Sequence, residues 1–317
     1  MMLENGLVFM NMQEDKNNKK ISFAWWNTSL SPHSKENTAN DEHKAFVLAT
    51  LVHLLIFKDI DVLCLCEVTT KDIDFISDNL NLVSSGYAIY NGNVKNGRKK
   101  FDLCIIYRAD VLTFLSSDII SKKQIKKNIH AGQEVNFVIT DTNEPLTLYL
   151  VHWSSRLYDY EDSPSKILLG SLLRDAVVDC RDTREIKHVI ILGDFNEEPF
   201  NKSLTQALFA SRDISLVKKE PDLLYNPFWR HMVHSRLHPE NNFESEGCGT
   251  YFYKGDQANQ WKTFDQIIFS SDFVRGEGWY LNESKTEVFS NKNFIEYIYS
   301  STSKFDHLPI ISVIERI

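Results

Sequence analysis

Val189-Ile190-Ile191-Leu192-Gly193-Asp194-Phe195-Asn196-Glu197-Glu198-Pro199 is the stretch that decides how this chain is read. Its four apolar residues, three of them β-branched, predict a buried strand, and the glycine and proline bracket a turn where it ends. Asp194 and Asn196 stand two apart, so an extended chain would point both side chains the same way. A carboxylate can take a proton from water, and a carboxamide beside it can donate to a phosphoryl oxygen without adding negative charge. Such a pair at the mouth of a buried strand suits a site that orients water against a phosphate. A plain strand closed by an Asp/Asn turn would look the same, so the rest of the chain has to decide.

Outward from this strand the pattern recurs. Upstream, Leu146 to Val151 is a strand that delivers His152-Trp153-Ser154-Ser155-Arg156; it pairs with Asn136 to Thr140 around Asn143-Glu144-Pro145. Between the two polar ends, Ser165 to Asp179 carries Leu168, Leu169, Leu172, Leu173, Ala176 and Val177, the stripe of an amphipathic helix. Near the start, Ile21 to Trp26 ends in Asn27, a helical stretch covers Asp41 to Leu55 with an acidic first turn, and Asp61 to Cys66 runs into Glu67. Downstream, Gly249 to Gly255 and Trp261 to Phe269, the latter containing Asp265, read as two strands joined by a hairpin. The chain closes on Asp306-His307-Leu308-Pro309 leading into a terminal strand. Strand, helix, strand, each strand ending in a polar residue, is how α/β enzymes place chemistry.

The intervening segments are plainer. Lys71 to Asn79 predicts a helix, Tyr87 to Tyr90 and Phe101 to Tyr107 antiparallel strands, and Lys202 to Ala210 a helix. Asn96-Gly97-Arg98-Lys99-Lys100 is a turn with three adjacent cations, read as a solvated hairpin tip or as a loop that contacts phosphate. Lys122 to Lys127 is a second basic cluster, a solvated turn or edge strand. Pro221 to Phe243 is aromatic and irregular, and an irregular insert is expected at about 274–303.

With 43% hydrophobic and 25% charged residues, the 317-residue chain has an ordinary globular composition and enough length for a substantial core. A net charge of −8 provides no bulk field for nucleic acid, although a metal and a local basic rim can supply that attraction. The five cysteines show no metal-type spacing; Cys64 and Cys66 alternate inside an apolar run as small buried residues, which fits a reducing, cytoplasmic setting. No apolar run reaches the length of a membrane span, so no membrane partner is expected, and the N-terminus lacks the charge order of a secretion signal. Residues 1–20 read as a lead-in, and 21–317 as one catalytic domain, with no internal repeat or linker.

Asn27, Glu67, His152, Asp194 with Asn196, Asp265, and Asp306 with His307 each have a dull explanation alone, as a turn residue, a cap or a satisfied histidine. One catalytic hypothesis accounts for all of them. In this order, with the Gly-Asp-Phe-Asn and Asp-His-Leu-Pro signatures, the chain resembles the endonuclease/exonuclease/phosphatase superfamily over residues 21–314. The resemblance implies a DNase I-like four-layer α/β sandwich, two packed mixed sheets with helices outside. It implies Glu67 as the main divalent-metal ligand with Asn27 and Asp306 nearby, and hard oxygen donors suit one or two Mg²⁺ or Mn²⁺ ions. Asp194 would deprotonate the attacking water, Asn196 would hold the phosphate, and His307, positioned by Asp265, would stabilise the pentacovalent transition state. His152 would contact the phosphate or assist the leaving oxygen.

Two departures stand out. Phe305 occupies a position that is commonly Ser in the family, and Ser154 stands where a bacterial branch with a His-Trp-Pro-Ser-Arg sequence has Pro. The first functional expectation is a Mg²⁺-dependent nuclease, with Arg98, Lys99, Lys100 and Arg156 on phosphates and Trp153, Tyr158 or Trp229 stacking on bases. The second is a phosphatase or phosphodiesterase for a small molecule or lipid head group; it lacks the Pro-x-Trp-Cys-Asp-Arg stretch of inositol 5-phosphatases, where this chain has Lys262-Thr263-Phe264-Asp265-Gln266. The third is a binding module that uses the 274–303 insert, or a defence or toxin nuclease held in check by a regulatory protein partner.

Overall fold

In the computed structural model, which describes residues 19–32, 39–96, 99–100, 102–123, 128–233, 248–276 and 278–317, two mixed sheets pack face to face. The first has the order β16 (Trp279–Val288), β17 (Ile310–Arg316), β1 (Lys20–Asn27), β2 (Val62–Cys66), β6 (Cys104–Arg108), β3 (Tyr87–Asn91). Within it β1 runs parallel to β2 and antiparallel to β17. The second has the order β11 (Ala210–Ser211), β12 (Leu224–Tyr225), β15 (Asp265–Ser270), β10 (His188–Asp194), β9 (Glu144–His152), β8 (Asn128–Ile139), β7 (Leu112–Lys123). Here β9 and β10 are parallel and β15 is antiparallel to β10. Two small antiparallel pairs stand apart, β4 (Lys95–Asn96) with β5 (Lys99–Lys100) and β13 (Tyr251–Phe252) with β14 (Trp261–Lys262).

Side-chain alternation along the strands sorts the apolar residues into layers. Phe23 and Trp25 of β1, Cys64 and Cys66 of β2, and Ile190 and Leu192 of β10 meet in the core between the sheets. Ala24, Trp26, Leu63 and Leu65 point outward instead, under α1 (Asp41–Val52), α2 (Thr70–Leu80) and α6 (Lys292–Tyr299). On the other side Tyr149, Val151, Val189 and Ile191 lie under Leu169, Leu173 and Val177 of α3 (Pro164–Val178). The short α4 (Ile214–Lys219) and α5 (Asp272–Arg275) close a small cluster at the flank of the second sheet through Val217 and Val274. The expected four-layer α/β/β/α sandwich is present. Every residue from Val189 to Leu192 is fully buried, which stabilises by roughly 1.5–3 kcal/mol per side chain and anchors the polar strand end that follows.

The helix of the His152 and Asp194 half begins at Ser163, whose hydroxyl caps Lys166 N–H, with Pro164 preset in the first turn. Gly193 has a packing reason: a Cβ there would sit 2.1 Å from the carbonyl oxygen of Val151, so only glycine lets β10 lie this close to β9.

Several expectations are corrected. Segment 274–303 is regular: it holds β16, which pairs with β17 at the sheet edge, and α6, whose Phe294, Ile295 and Ile298 are buried. The register shifts between Asn282 and Glu287, and most of β16 is only half-buried, which erases the period-two signal. Lys202 to Ala210 is a single wide helical turn, Ser203–Ala207, closed by Leu208 N–H on Ser203 O at 3.1 Å, before the chain enters β11. The hairpin after Gly249 is two residues deep on each side, and β15 leaves it for the second sheet. Strand β7 begins well before the Lys122 cluster; it is an edge strand with a largely exposed face, ending in Lys122 and Lys123, the edge-strand alternative for the first residues of that cluster. Arg98, the side chains of Lys99 and Lys100, residues 1–18 and part of the 221–243 stretch lie outside the described residues.

Candidate active site

The candidate side chains continue the parity of the intersheet core. Asp194 follows Ile190 and Leu192, His152 follows Leu148 and Leu150, and Asp265 precedes Ile267 and Phe269, all on the face that meets the other sheet. Register brings them side by side, because Asp194 is the cross-strand partner of both His152 and Asp265. Across the interface, Asn27 continues the face of Phe23 and Trp25, and it pairs with Cys66 immediately before Glu67. The two sheets therefore contribute facing halves of one pocket of about 150 Å³. Asn27, Glu67, His152, Asp194, Asn196, Asp306 and His307 all line it.

Hydrogen bonds join the halves. Asn27 donates its amide to Asp194 Oδ2 at 3.4 Å, and His307 Nε2 stands 3.7 Å from the same oxygen. The other ring nitrogen, Nδ1, is 2.7 Å from Asp265 Oδ2, while Trp25 donates its indole N–H to Asp265 Oδ1 at 2.9 Å. Burial alone would lower the His307 pKa, but the carboxylates of Asp265 and Asp194 outweigh it and push it up to about 10. On the opposite wall His152 Nδ1 is 3.0 Å from Asp102 Oδ1, with Nε2 3.9 Å from Glu67 Oε1. Burial again opposes, yet Asp102, Asp194 and Glu67 hold His152 at about 9. Two imidazolium groups thus flank Asp194.

Asn196 corrects one geometric expectation. The chain is not extended through it: Asn196 has φ +50°, its N–H donates to Asp194 Oδ1 at 2.9 Å, and its amide donates to Trp153 O at 3.1 Å. This tight turn sends Phe195 into the core under α3 and keeps Asn196 on the pocket wall. Glu67 also sits in the left-handed region, at φ +56°. Non-glycine residues hold that conformation at a cost of roughly 1–3 kcal/mol, and strain of this kind clusters at functional sites.

The donor set fits a hard divalent cation. Burial pushes the Glu67 carboxyl up to about 7, with Asp306 and Asp102 adding repulsion against the pull of the two histidines. Desolvation in the pocket likewise raises Asp306. Carboxylates crowded until they resist ionisation are what a cation relieves, and Asn27 supplies an amide oxygen beside them. Asp194, Asp265 and His307 also offer donor atoms within 4.8 Å of one another. Both oxygens of fully buried Asp265 already accept hydrogen bonds, however, so that trio is better described as an orienting chain behind His307.

Two substrate-binding expectations change. Trp153 is 2% exposed, donates its indole N–H to Ala131 O and packs edge-on against Phe195; a ring so enclosed has no face for a base. Arg156 lies over Phe264, 4.7 Å from its ring centre, and spends its guanidinium on Asn196 O, Asn201 Oδ1 and Glu161. It braces the Asp194–Asn196 turn. Tyr158 is 89% exposed, and Trp229 is half-buried away from this pocket.

Sequence reasoning missed Asp102, the carboxylate behind His152, because a lone Asp after a basic turn carries no periodic signal. It also missed Ser29, which donates to Asp306 Oδ1 at 3.2 Å, and Tyr251, whose ring lies 4.6 Å from that of His307. Phe305, the departure from the family's Ser, is buried against Trp26 and Phe294. Fully buried Lys166 was missed as well. Its ammonium donates to Ser154 O at 2.6 Å and Phe195 O at 3.2 Å, tying the loop after His152 to the turn after Asp194.

Comparison with known proteins agrees with this fold. The sequence pattern of the Endonuclease/Exonuclease/phosphatase family matches residues 26–309. The human Nocturnin catalytic domain with bound sulfate superposes with a TM-score of 0.60 at 16% identity, covering 94% of this chain and 95% of that one. TDP2 of D. rerio, complexed with a single-strand DNA product, gives 0.57 at 17% identity, covering 93% and 98%. The mannosyl-6-phosphatase of Bacteroides thetaiotaomicron gives 0.57 at 14% identity, covering 94% and 99%. Comparison with curated protein sequences finds no match. Among the described residues no helix is long and apolar enough to cross a membrane.

Proposed function

The chain belongs to the endonuclease/exonuclease/phosphatase family, and from that premise we propose that its pocket is a divalent-metal-dependent phosphoester hydrolase acting on nucleic acid. The observation that carries the reading is the meeting of Asn27, Glu67 and Asp306 with His152, Asp194 and His307 in one small pocket. Asp194, aimed by Asn196 N–H and the Asn27 amide, takes the proton of the attacking water. His307, held charged and oriented by Asp265, and His152, held by Asp102, face the charge that grows on the phosphoryl oxygens. Asn196 donates to a non-bridging oxygen. Glu67, Asp306 and Asn27 would hold Mg²⁺ or Mn²⁺, which when bound would supply Lewis-acid polarisation of the phosphoryl group.

Pocket size suits a phosphate rather than a whole ligand. About 150 Å³ among the described residues accommodates a phosphate and its attacking water. Sites that enclose a whole small ligand commonly offer roughly 300 Å³ or more. A nucleic acid needs only its scissile phosphate to dip in, while the flanking nucleotides lie on the surface.

The test incubates the protein with supercoiled plasmid, single-stranded DNA, RNA and a generic phosphomonoester, with Mg²⁺, Mn²⁺ or chelator, beside Asp194→Ala. Metal-dependent cutting of a nucleic acid that the variant cannot perform is the expected result. Phosphate release from the monoester alone overturns the nuclease assignment and leaves the hydrolase. Turnover that survives chelator overturns the metal.

A further inference from the structure

A second cavity, of about 260 Å³, opens at the edge of the second sheet beside β11 and α4. Phe209, Arg212 and Trp229 form its walls, with Leu216 and Leu223 completing the apolar lining. The guanidinium of Arg212 lies 4.6 Å above the Trp229 ring, and Arg174 lies 5.1 Å from the ring of Phe209. Arg212 is exposed and has no carboxylate within ion-pairing reach among the described residues. Phe209 is held at φ +64° and is 44% exposed, a strained backbone that presents an aromatic side chain to solvent.

The segment that carries Trp229 is tied to the chain just past Asn196: Asn226 donates to Gln266 Oε1 at 2.7 Å, and Gln266 donates to Glu197 O at 2.8 Å. Phe200 follows Asn196 by four residues, is 49% exposed, and stands 6.4 Å from Trp229. Phe200, Trp229 and Arg212 are thus successive neighbours, in a row that starts four residues past Asn196 and ends at the second cavity. Aromatic rings and guanidinium planes stack on unpaired bases irrespective of sequence, and an unpaired arginine beside them neutralises backbone phosphate. A base-paired duplex hides those base faces.

Resting on the nuclease reading, we infer that a single-stranded flank of the substrate runs from the scissile phosphate over Phe200 and seats a base in the Trp229–Arg212 cavity. The surface makes the enzyme selective for unpaired nucleic acid and confers affinity that the small phosphate pocket lacks.

The experiment compares wild type with Trp229→Ala and Arg212→Glu on a single-stranded oligonucleotide and on bis(p-nitrophenyl) phosphate, a diester too short to reach the cavity. Arg212 is a surface residue, so its variant folds even where loss of the Trp229 ring loosens the flank. The expected result is a KM for the oligonucleotide raised about tenfold or more, with kcat and the small-diester rate unchanged. Trp229→Phe, which keeps a stacking face, restores most of the affinity. Binding of fluorescein-labelled single strands and duplexes to catalytically inert Asp194→Ala, with and without Arg212→Glu, gives a readout independent of turnover. Unchanged single-strand binding in the variants, or equal affinity for duplex, overturns the inference. Failure of wild type to cut any nucleic acid overturns the nuclease reading, whereas cutting with an unaltered KM in both variants overturns the stacking track alone.

Discussion

Asp265→Asn is the sharpest test of the orienting chain. Fully buried Asp265 accepts from two donors, Trp25 Nε1–H at 2.9 Å and His307 Nδ1–H at 2.7 Å. An asparagine of the same shape has only one acceptor oxygen, so its NH₂ must face one of those donors. The lesser conflict arises when His307 loses its proton at Nδ1 and accepts from the new amide. That exchange removes the positive charge from a ring whose Nε2 lies 3.7 Å from Asp194 Oδ2. At an effective dielectric of 20, a unit charge at that distance is worth about 4 kcal/mol to a neighbouring anion. A transition state that gathers charge at the same distance loses a comparable amount, or about 10²–10³ in kcat, in the range found on removing one oxyanion donor. His307→Ala should cost as much, and the double variant little more, since the two act as a unit. Steady-state kinetics on the phosphoester that wild type turns over, with circular dichroism to confirm folding, provides the assay. An Asp265→Asn enzyme within tenfold of wild-type kcat, or losses that add in the double variant, would refute the reasoning.

Two further predictions concern other parts of the site. Burial brings the Lys166 ammonium down to about 8, below its unfolded value, so the folded chain carries a penalty at low pH that fades as pH rises from 8 toward about 10.4. Relative to Lys166→Met, the wild type should therefore gain about 3 kcal/mol over that window, read from urea midpoints; a flat difference would sink the assignment. Glu67→Gln removes a charge that burial and Asp306 oppose, so the metal-free protein should melt higher while Mg²⁺ or Mn²⁺ affinity by calorimetry falls about a hundredfold or more. Unchanged affinity would remove Glu67 from the metal site.

Strand ends were legible in the sequence because apolar runs stop abruptly at a polar residue: Trp26 at Asn27, Cys66 at Glu67, Val151 at His152, Leu192-Gly193 at Asp194. Motif order then supplied the sandwich. Parity did the rest, since residues two apart from core positions share their face. The failures have physical causes. Asn196 turns back through a left-handed conformation that a two-residue spacing cannot reveal. Asp102 meets His152 from a position fifty residues away, a contact created only by folding. Trp153 looked like a ligand platform because aromatic residues serve both cores and surfaces; Ala131 and Phe195 claimed it for the core. Edge strands β7 and β16 face solvent on one side and carry little hydrophobic signal.

The insertion of β17 between β16 and β1 has a temporal meaning. Synthesis delivers Asn27 and Glu67 early, yet His307 and Asp306 reach the pocket only when the last strand slots in beside the first. A growing chain therefore carries Glu67 and Asp194 well before Asp306 and His307, which line the same pocket. On the function proposed above, this topology makes completion of the pocket a single late step, taken when β17 pairs with β1.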